Sequence, residues 1–224
     1  MKTMHEPTQM SESVRLGAVL AITGGFFDAY TYLCRGGVFA NAQTGNIVLL
    51  GVNLANAQWV RALHYVLPIL AFALGVAAAE WVKLNFKTRP IGVHWRQIVI
   101  LAEMALVALV GFLPQSANMA ANTLVSFICA LQVESFRKMR GSAFATTMCT
   151  GNLRSATEQF VRWRTDGDAE ARRKSGRYAV IILYFIAGAA LGVGCVQLWH
   201  DRAVLVCCAL HALVFGLMFR EKID

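Results

Sequence analysis

The sequence predicts an all-α fold: a polytopic transmembrane helical bundle of six full spans plus two short broken or re-entrant helices, built from two inverted repeats. Three observations predict it. The chain is 57% apolar and 15% charged, with a mean hydropathy of +0.51, where a soluble domain has about 45–50% apolar and about 25% charged residues. Its apolar residues gather into six runs of near-membrane length. One tripeptide, Thr-Gly-Asn, occurs in both halves, at Thr44–Asn46 and Thr150–Asn152.

At roughly 20 residues per span, six crossings and their loops use up the 224 residues, so 1–224 is expected to be a single transmembrane domain. Met1–Val14 is polar, lacks a signal-cleavage pattern and reads as a cytoplasmic tail. The expected spans are Leu16–Leu33, His64–Val82, Gln97–Leu113, Ala117–Phe136, Tyr178–Leu198 and Ala203–Phe219. Pro114 and the uncharged Gln115–Asn118 make a tight turn between the third and fourth. His200, Asp201 and Arg202 make another before the last. Gly36–Asn56 and Gly141–Phe160 are only half apolar. Each carries one Thr-Gly-Asn, and each reads as a half-helix or a tilted broken helix.

The net charge of +8 would suggest nucleic acid in a soluble protein. Here the basic residues sit in short clusters between apolar runs: Lys83, Lys87, Arg89 and Arg96; Arg137, Lys138 and Arg140; Arg162 to Arg177. That is the pattern of cytoplasmic loops, so no nucleic-acid partner is expected. The turn at Gln115–Asn118 has no basic residue and is placed outside. Both termini are then cytoplasmic, and the two Thr-Gly-Asn segments dip from opposite faces, the first starting near Arg35 and ending near Arg61 outside.

The repeat extends beyond the tripeptide. Asp28 precedes Thr44, and Glu134 precedes Thr150, by the same interval. Gly37-Val-Phe39-Ala40 resembles Ser142-Ala-Phe144-Ala145, and Phe72-x-x-Gly75 resembles Phe185-x-x-Gly188. Repeat one covers about 16–113 and repeat two about 117–219. Three spans in each half put the second copy upside down relative to the first, an arrangement common in carriers with broken helices at the midplane.

The candidate residues follow from this. Asp28 lies inside an apolar run, after the helix-loosening pair Gly24-Gly25. A charge there costs at least about 2.5–3.5 kcal/mol on insertion scales, so it pairs, holds a proton or faces water. It reads as a coupling or substrate-contacting acid; the structural alternative is an acid that caps a backbone turn or pairs with Arg35. Glu134 is its counterpart, with an interfacial pair to Arg137 or Lys138 as the alternative. Gln132, one turn deeper, can hydrogen-bond a ligand or a helix. Thr44 and Thr150 are expected to N-cap half-helices, and Asn46 and Asn152 to offer side-chain hydrogen bonds. Gly45 and Gly151 are expected where backbone comes close to a solute or to another helix. Glu103 lies mid-run without a repeat counterpart, and Glu80 reads as interfacial beside Lys83. Gly75/Ala79 and Gly188/Gly192 have the small-xxx-small spacing of close helix packing.

The six cysteines form no Cys-x-x-Cys and the five histidines no ligand spacing, so neither a metal nor a cofactor is expected. There is no His-Glu-x-x-His and no Gly-x-Ser-x-Gly, so an enzyme is not expected either.

Gly25-Phe-Phe-Asp28-Ala29, Gly37-Val-Phe39 through Thr44-Gly45-Asn46, and Gln132 with Thr146-Thr147 through Thr150-Gly151-Asn152 resemble the YoaK-type membrane family, also called domain of unknown function 1275. The resemblance covers nearly the whole chain and implies a bacterial inner-membrane protein. Many relatives have Gln-Asn where this chain has Gln132-Val133, so a role for that Asn does not carry over. The second tripeptide often lacks its Asn in relatives, whereas this chain keeps Asn152. The resemblance supplies no substrate.

The resulting expectation is a small-solute transporter or channel-like carrier of the inner membrane, with its path between the halves at the paired Thr-Gly-Asn helix ends. Its partners are the lipid bilayer and a small polar or anionic solute, and a homo-oligomer stays open. The alternative is a non-transporting membrane partner or assembly protein.

Overall fold

A computed structural model describes residues 14–87, 94–139, 142–143 and 149–219. Most of the expected N-terminal tail, Arg89, Arg140, Phe144-Ala145 and Thr146-Thr147, and the C-terminal tail after Phe219 lie outside the described residues.

The fold is all-α. Its helices are α1 (Val14–Cys34), α2 (Gln43–Ala55), α3 (Trp59–Phe86), α4 (Trp95–Gly111), α5 (Asn118–Ser135), α6 (Cys149–Asp166), α7 (Ala169–Trp199) and α8 (Val206–Phe219). Short 3-10 turns precede α5 and α8, and Lys138–Met139 pairs antiparallel with Ser142–Ala143. Four helical stretches among the described residues are long and apolar enough to cross a membrane: Val14–Cys34, Trp59–Phe86, Gln115–Ser135 and Ala169–Phe219, the last containing α7, a turn and α8.

The apolar runs and the helices coincide, but two boundaries move for a local reason. The charge-rich stretch Arg162–Arg177, expected as a loop, is helical except around Gly167, whose φ of +68° suits a residue without Cβ. Asp168 caps α7 by accepting from Glu170 N–H at 2.8 Å, and Glu170 pairs with Arg173 and Arg177 at 2.9 Å. Capping and same-face ion pairs thus carry α7 well before the apolar run begins. α2 has 13 residues, about 20 Å, short of a roughly 30 Å hydrocarbon core.

α1 is the central helix, buried on nearly all sides. It packs most extensively on α7, and α3 does so on α5; α2 leans on α3, α6 on α7, and α4 meets α5 and α8. The long contacts are made by small residues. A Cβ on Gly25 would strike the Phe185 carbonyl, one on Gly188 the Ile22 carbonyl, and one on Gly75 the Phe127 carbonyl and Ala130. Close packing at Gly75 and Gly188 is as expected. Gly25 does not loosen α1, which runs through it unbroken; the glycine lets α7 approach. The outer faces of α3 and α7 are apolar and exposed, Leu74 and Leu183 among them. An apolar surface of that extent belongs in lipid, not in water.

α4 starts on a titratable cap. His94 accepts from Arg96 N–H at 3.2 Å, and Gln97 Oε1 accepts from His94 N–H at 2.8 Å. Burial, then the charges of Arg96 and Lys87, hold the His94 imidazole below its ordinary value of 6.5. Because the folded value is the lower one, the cap is intact above about 6.5 and is lost as the pH falls below it. The amide protection factor of Arg96 should drop on acidification through that window. In His94→Asn, whose cap does not titrate, it should stay level.

Candidate functional site

The site forms where α1 ends. Gly36 and Gly37 take φ of +88° and +77°, which stops the helix and turns the chain back along it. Two α1 side chains receive the returning backbone: Thr31 Oγ1 accepts from Ala40 N–H at 3.3 Å, and Asp28 Oδ1 from Asn41 N–H at 3.1 Å. α2 then begins, tied to α5 by Gln43, whose Nε2 donates to the Ala40 carbonyl at 2.7 Å and to Ser126 Oγ at 3.3 Å. Asn46, one turn on, is 2% exposed and donates to the Phe39 carbonyl at 3.2 Å and to Gln43 Oε1 at 3.0 Å.

The start of α6 comes to the same place. Its first residue, Cys149, is within electrostatic range of Asp28, and so is Cys129 of α5. Asn152, in the first turn of α6, is 2% exposed. Asp28 is thus bonded just before the start of α2 and is within electrostatic range of the first residue of α6, and the N-terminal end of each of these helices carries backbone N–H groups without intrahelical partners. Among the described residues no Lys, Arg or His forms an ion pair with Asp28. Among the described residues no group of three or more His, Cys, Asp or Glu is placed to hold a metal.

Several expected roles are corrected. Thr44 does not cap α2: the cap position is Ala42, without a side-chain cap bond, and Thr44 lies exposed inside the first turn. Thr150 is likewise inside α6 and exposed. Gly45 and Gly151 mark no close approach of protein, since a Cβ on either would meet nothing within 4 Å. Asp28 does not pair with Arg35; the other structural role, accepting from a backbone turn, is the one it fills at Asn41. Gln132 is fully buried, and its Nε2 donates to the Leu20 carbonyl at 3.0 Å, so it joins α5 to α1. Glu134 stands apart, 3.3 Å from Arg137 at the end of α5 and beside Glu80, which pairs with Lys83 at 2.6 Å.

Arg35, counted in the sequence as a loop charge, is completely buried. Its Nε donates to Tyr30 Oη at 2.8 Å. Nη1 donates to the Pro114 carbonyl at 3.3 Å and to Asn118 Oδ1 at 3.1 Å. Nη2 donates to the carbonyls of Val110 at 3.2 Å and Leu113 at 3.0 Å. Tyr30 Oη in turn donates to the Asp201 carbonyl at 2.9 Å, and Gln115 bonds the Asp201 carboxylate. One side chain thus ties the end of α1 to the turn before α5 directly and, through Tyr30, to the turn before α8. A second buried polar pair, Glu103 of α4 and His211 of α8, was likewise missed as a pair. The available signal was one ionisable residue in each of two apolar runs.

The helices, their exposed apolar surfaces and a homologous transmembrane relative define a multi-pass helical membrane protein. The chain belongs to the family described as protein of unknown function (DUF1275), whose profile matches residues 16–217. It is similar to UPF0700 transmembrane protein YoaK of Bacillus subtilis (strain 168), at 24% identity over 217 residues, covering 92% of each chain. No solved structure matches it.

Proposed function

We propose that the protein is a small-solute transporter or channel-like carrier of the bacterial inner membrane, not an enzyme, with its path at the meeting point of α2, α6 and Asp28. One observation carries this reading. A 9%-exposed carboxyl without a cationic partner among the described residues lies near the starts of two short helices. Keeping such a group inside a membrane protein is costly unless it binds something. Asp28 takes a proton or a cation, and the helix ends offer N–H groups to a polar or anionic solute. Among the described residues nothing lies within 4 Å of a Cβ built on Gly45 or Gly151, which leaves room for it.

The inverted-repeat reading with six crossings gains support from the packing. Exchanging α1 with α5, α2 with α6, α3 with α7 and α4 with α8 maps the main contacts onto one another: α1 on α7 becomes α5 on α3, and α2 on α3 becomes α6 on α7. Gly188 against Ile22 and Gly75 against Phe127 are then equivalent contacts. With Arg35 buried among carbonyls, the face bearing the turns before α5 and α8 carries one free basic residue fewer than the sequence count gives it. This agrees with cytoplasmic termini.

The non-transporting alternative is favoured by one fact: Asn46 and Asn152 are closed off from solvent. In a Cys-free background, Asn46→Cys and Asn152→Cys should react with a membrane-impermeant maleimide from opposite faces. Uptake of a panel of radiolabelled carboxylates and neutral polar solutes into proteoliposomes should be lost in Asp28→Asn, which keeps the acceptor for Asn41 N–H. Two unreactive sites, or uptake unchanged by Asp28→Asn, would sink the carrier.

A further inference from the structure

Glu103 and His211 face each other inside the bundle. Nε2 of His211 is 2.9 Å from Oε2 of Glu103, and both side chains are completely buried. Around them lie Phe27, whose ring centroid is 6.1 Å from the imidazole, and apolar residues of α4 and α8. The Glu103–His211 contact is close in distance but not aligned as a hydrogen bond, and both oxygens of Glu103 and both ring nitrogens of His211 are without a hydrogen-bond partner among the described residues.

Few titratable groups face the pair. From α5 there is Cys129, which is in electrostatic range of both Glu103 and Asp28, so the two membrane acids approach one thiol from α4 and α1. α8 adds Cys207 and Cys208, the second with its Sγ 3.6 Å from the Met104 carbonyl. On α3, Glu80 and Lys83 are bonded to each other and lie beside Glu134, away from the pair. The turn before α8 presents Asp201, bonded by Gln115. Arg96 and Arg35 lie about two turns away toward opposite ends of α4, where they donate to the carbonyls of Ser135 and Val110. Among the described residues the imidazole is therefore the one group positioned to neutralise Glu103.

A carboxylate beside a neutral imidazole buries a net negative charge. One added proton makes the pair neutral, whether it resides on Glu103 or on His211. At this depth a net charge costs at least about 2.5–3.5 kcal/mol, so the closed bundle holds the proton and only an opening to water releases it. A pair with a purely structural purpose would be replaceable by well-packed apolar residues; this one leaves two oxygens and two nitrogens without a hydrogen bond among the described residues.

We propose that Glu103 and His211 form a binding site for a single labile proton between α4 and α8. Proton binding stands on this geometry alone; its use as the coupling ion rests on the carrier reading above.

The test is pH-dependent difference infrared spectroscopy of the full-length protein in lipid nanodiscs over about pH 5 to 8. A carboxyl signal should titrate in the wild type and vanish in Glu103→Gln. Its midpoint should move by about one pH unit or more in His211→Gln. Should His211→Gln not fold, 15N-histidine NMR of the wild type replaces it: the slowly exchanging imidazole should titrate with the same midpoint as the carboxyl. Carboxyl and imidazole signals that stay constant across the range would overturn the site. In parallel, proteoliposomes loaded with pyranine report proton entry under an imposed pH gradient, alongside the solute panel. A titrating pair with no flux of proton or solute keeps the proton site and removes the carrier; solute flux with a static pair does the reverse.

Discussion

Arg35→Met should destabilise the protein by about 3–5 kcal/mol, close to the whole stability of many domains. The guanidinium is fully buried, and five acceptors from three parts of the chain converge on it: Tyr30 Oη, Asn118 Oδ1 and the carbonyls of Val110, Leu113 and Pro114. Those carbonyls belong to the end of α4 and the turn after it, where intrahelical donors run out. Removing the donor takes it from Tyr30 Oη, Asn118 Oδ1 and the Leu113 carbonyl, while the carbonyls of Val110 and Pro114 keep the N–H groups of Leu113 and Ala117; a buried acceptor left unpaired costs about 1–3 kcal/mol. Arg35→Lys should recover less than half of the loss, because an ammonium on a single point cannot reach acceptors spread around a planar fork. Reversible unfolding in mixed micelles would measure both. A loss below about 1 kcal/mol for Arg35→Met would mean that water or lipid headgroups replace the guanidinium.

Gly188→Ala should cost at least about 3 kcal/mol, the upper end of what overpacking usually does. The added methyl meets the carbonyl of Ile22, and α1 and α7 share the most extensive contact in the bundle. Backbone cannot rotate out of the way as a side chain can, so the two helices must separate along their length. Gly194 is the internal control: it lies two residues past Gly192 on the same helix, and a Cβ there meets nothing within 4 Å. Gly194→Ala should be neutral or stabilising by up to about 1 kcal/mol through helix propensity. Equal effects at the two positions would show that propensity and not helix approach governs α7.

These two residues mark how far the sequence could be read. Gly188 was legible: its spacing to Gly192 and its match to Gly75 point to a packing face, since a helix repeats its surface every three to four residues. Asp28 was legible as an isolated acid in an apolar run, and its bond to Asn41 N–H was one of two structural alternatives. Arg35 was not legible. It reads as a loop charge after a span, and nothing local says that the acceptors of residues 110–118 will surround it. The helical stretch from Asp168 to Arg177 was also misread, because hydropathy sees its charges and not the cap and ion pairs they form.

The membrane class, the helical fold and the places of the long helices are local properties. They depend on how much apolar surface each stretch carries and at what period, and the sequence by itself contains that. The meeting of Cys149 and Asn41 at Asp28, the pairing of Glu103 with His211, and the burial of Arg35 depend on residues far apart in the chain. Their distances are set by which helices pack together, and only the tertiary structure decides that. The repeated Thr-Gly-Asn shares both origins: its recurrence is written in the chain, whereas its nearness to Asp28 comes from the packing of α1 against α5 and α7.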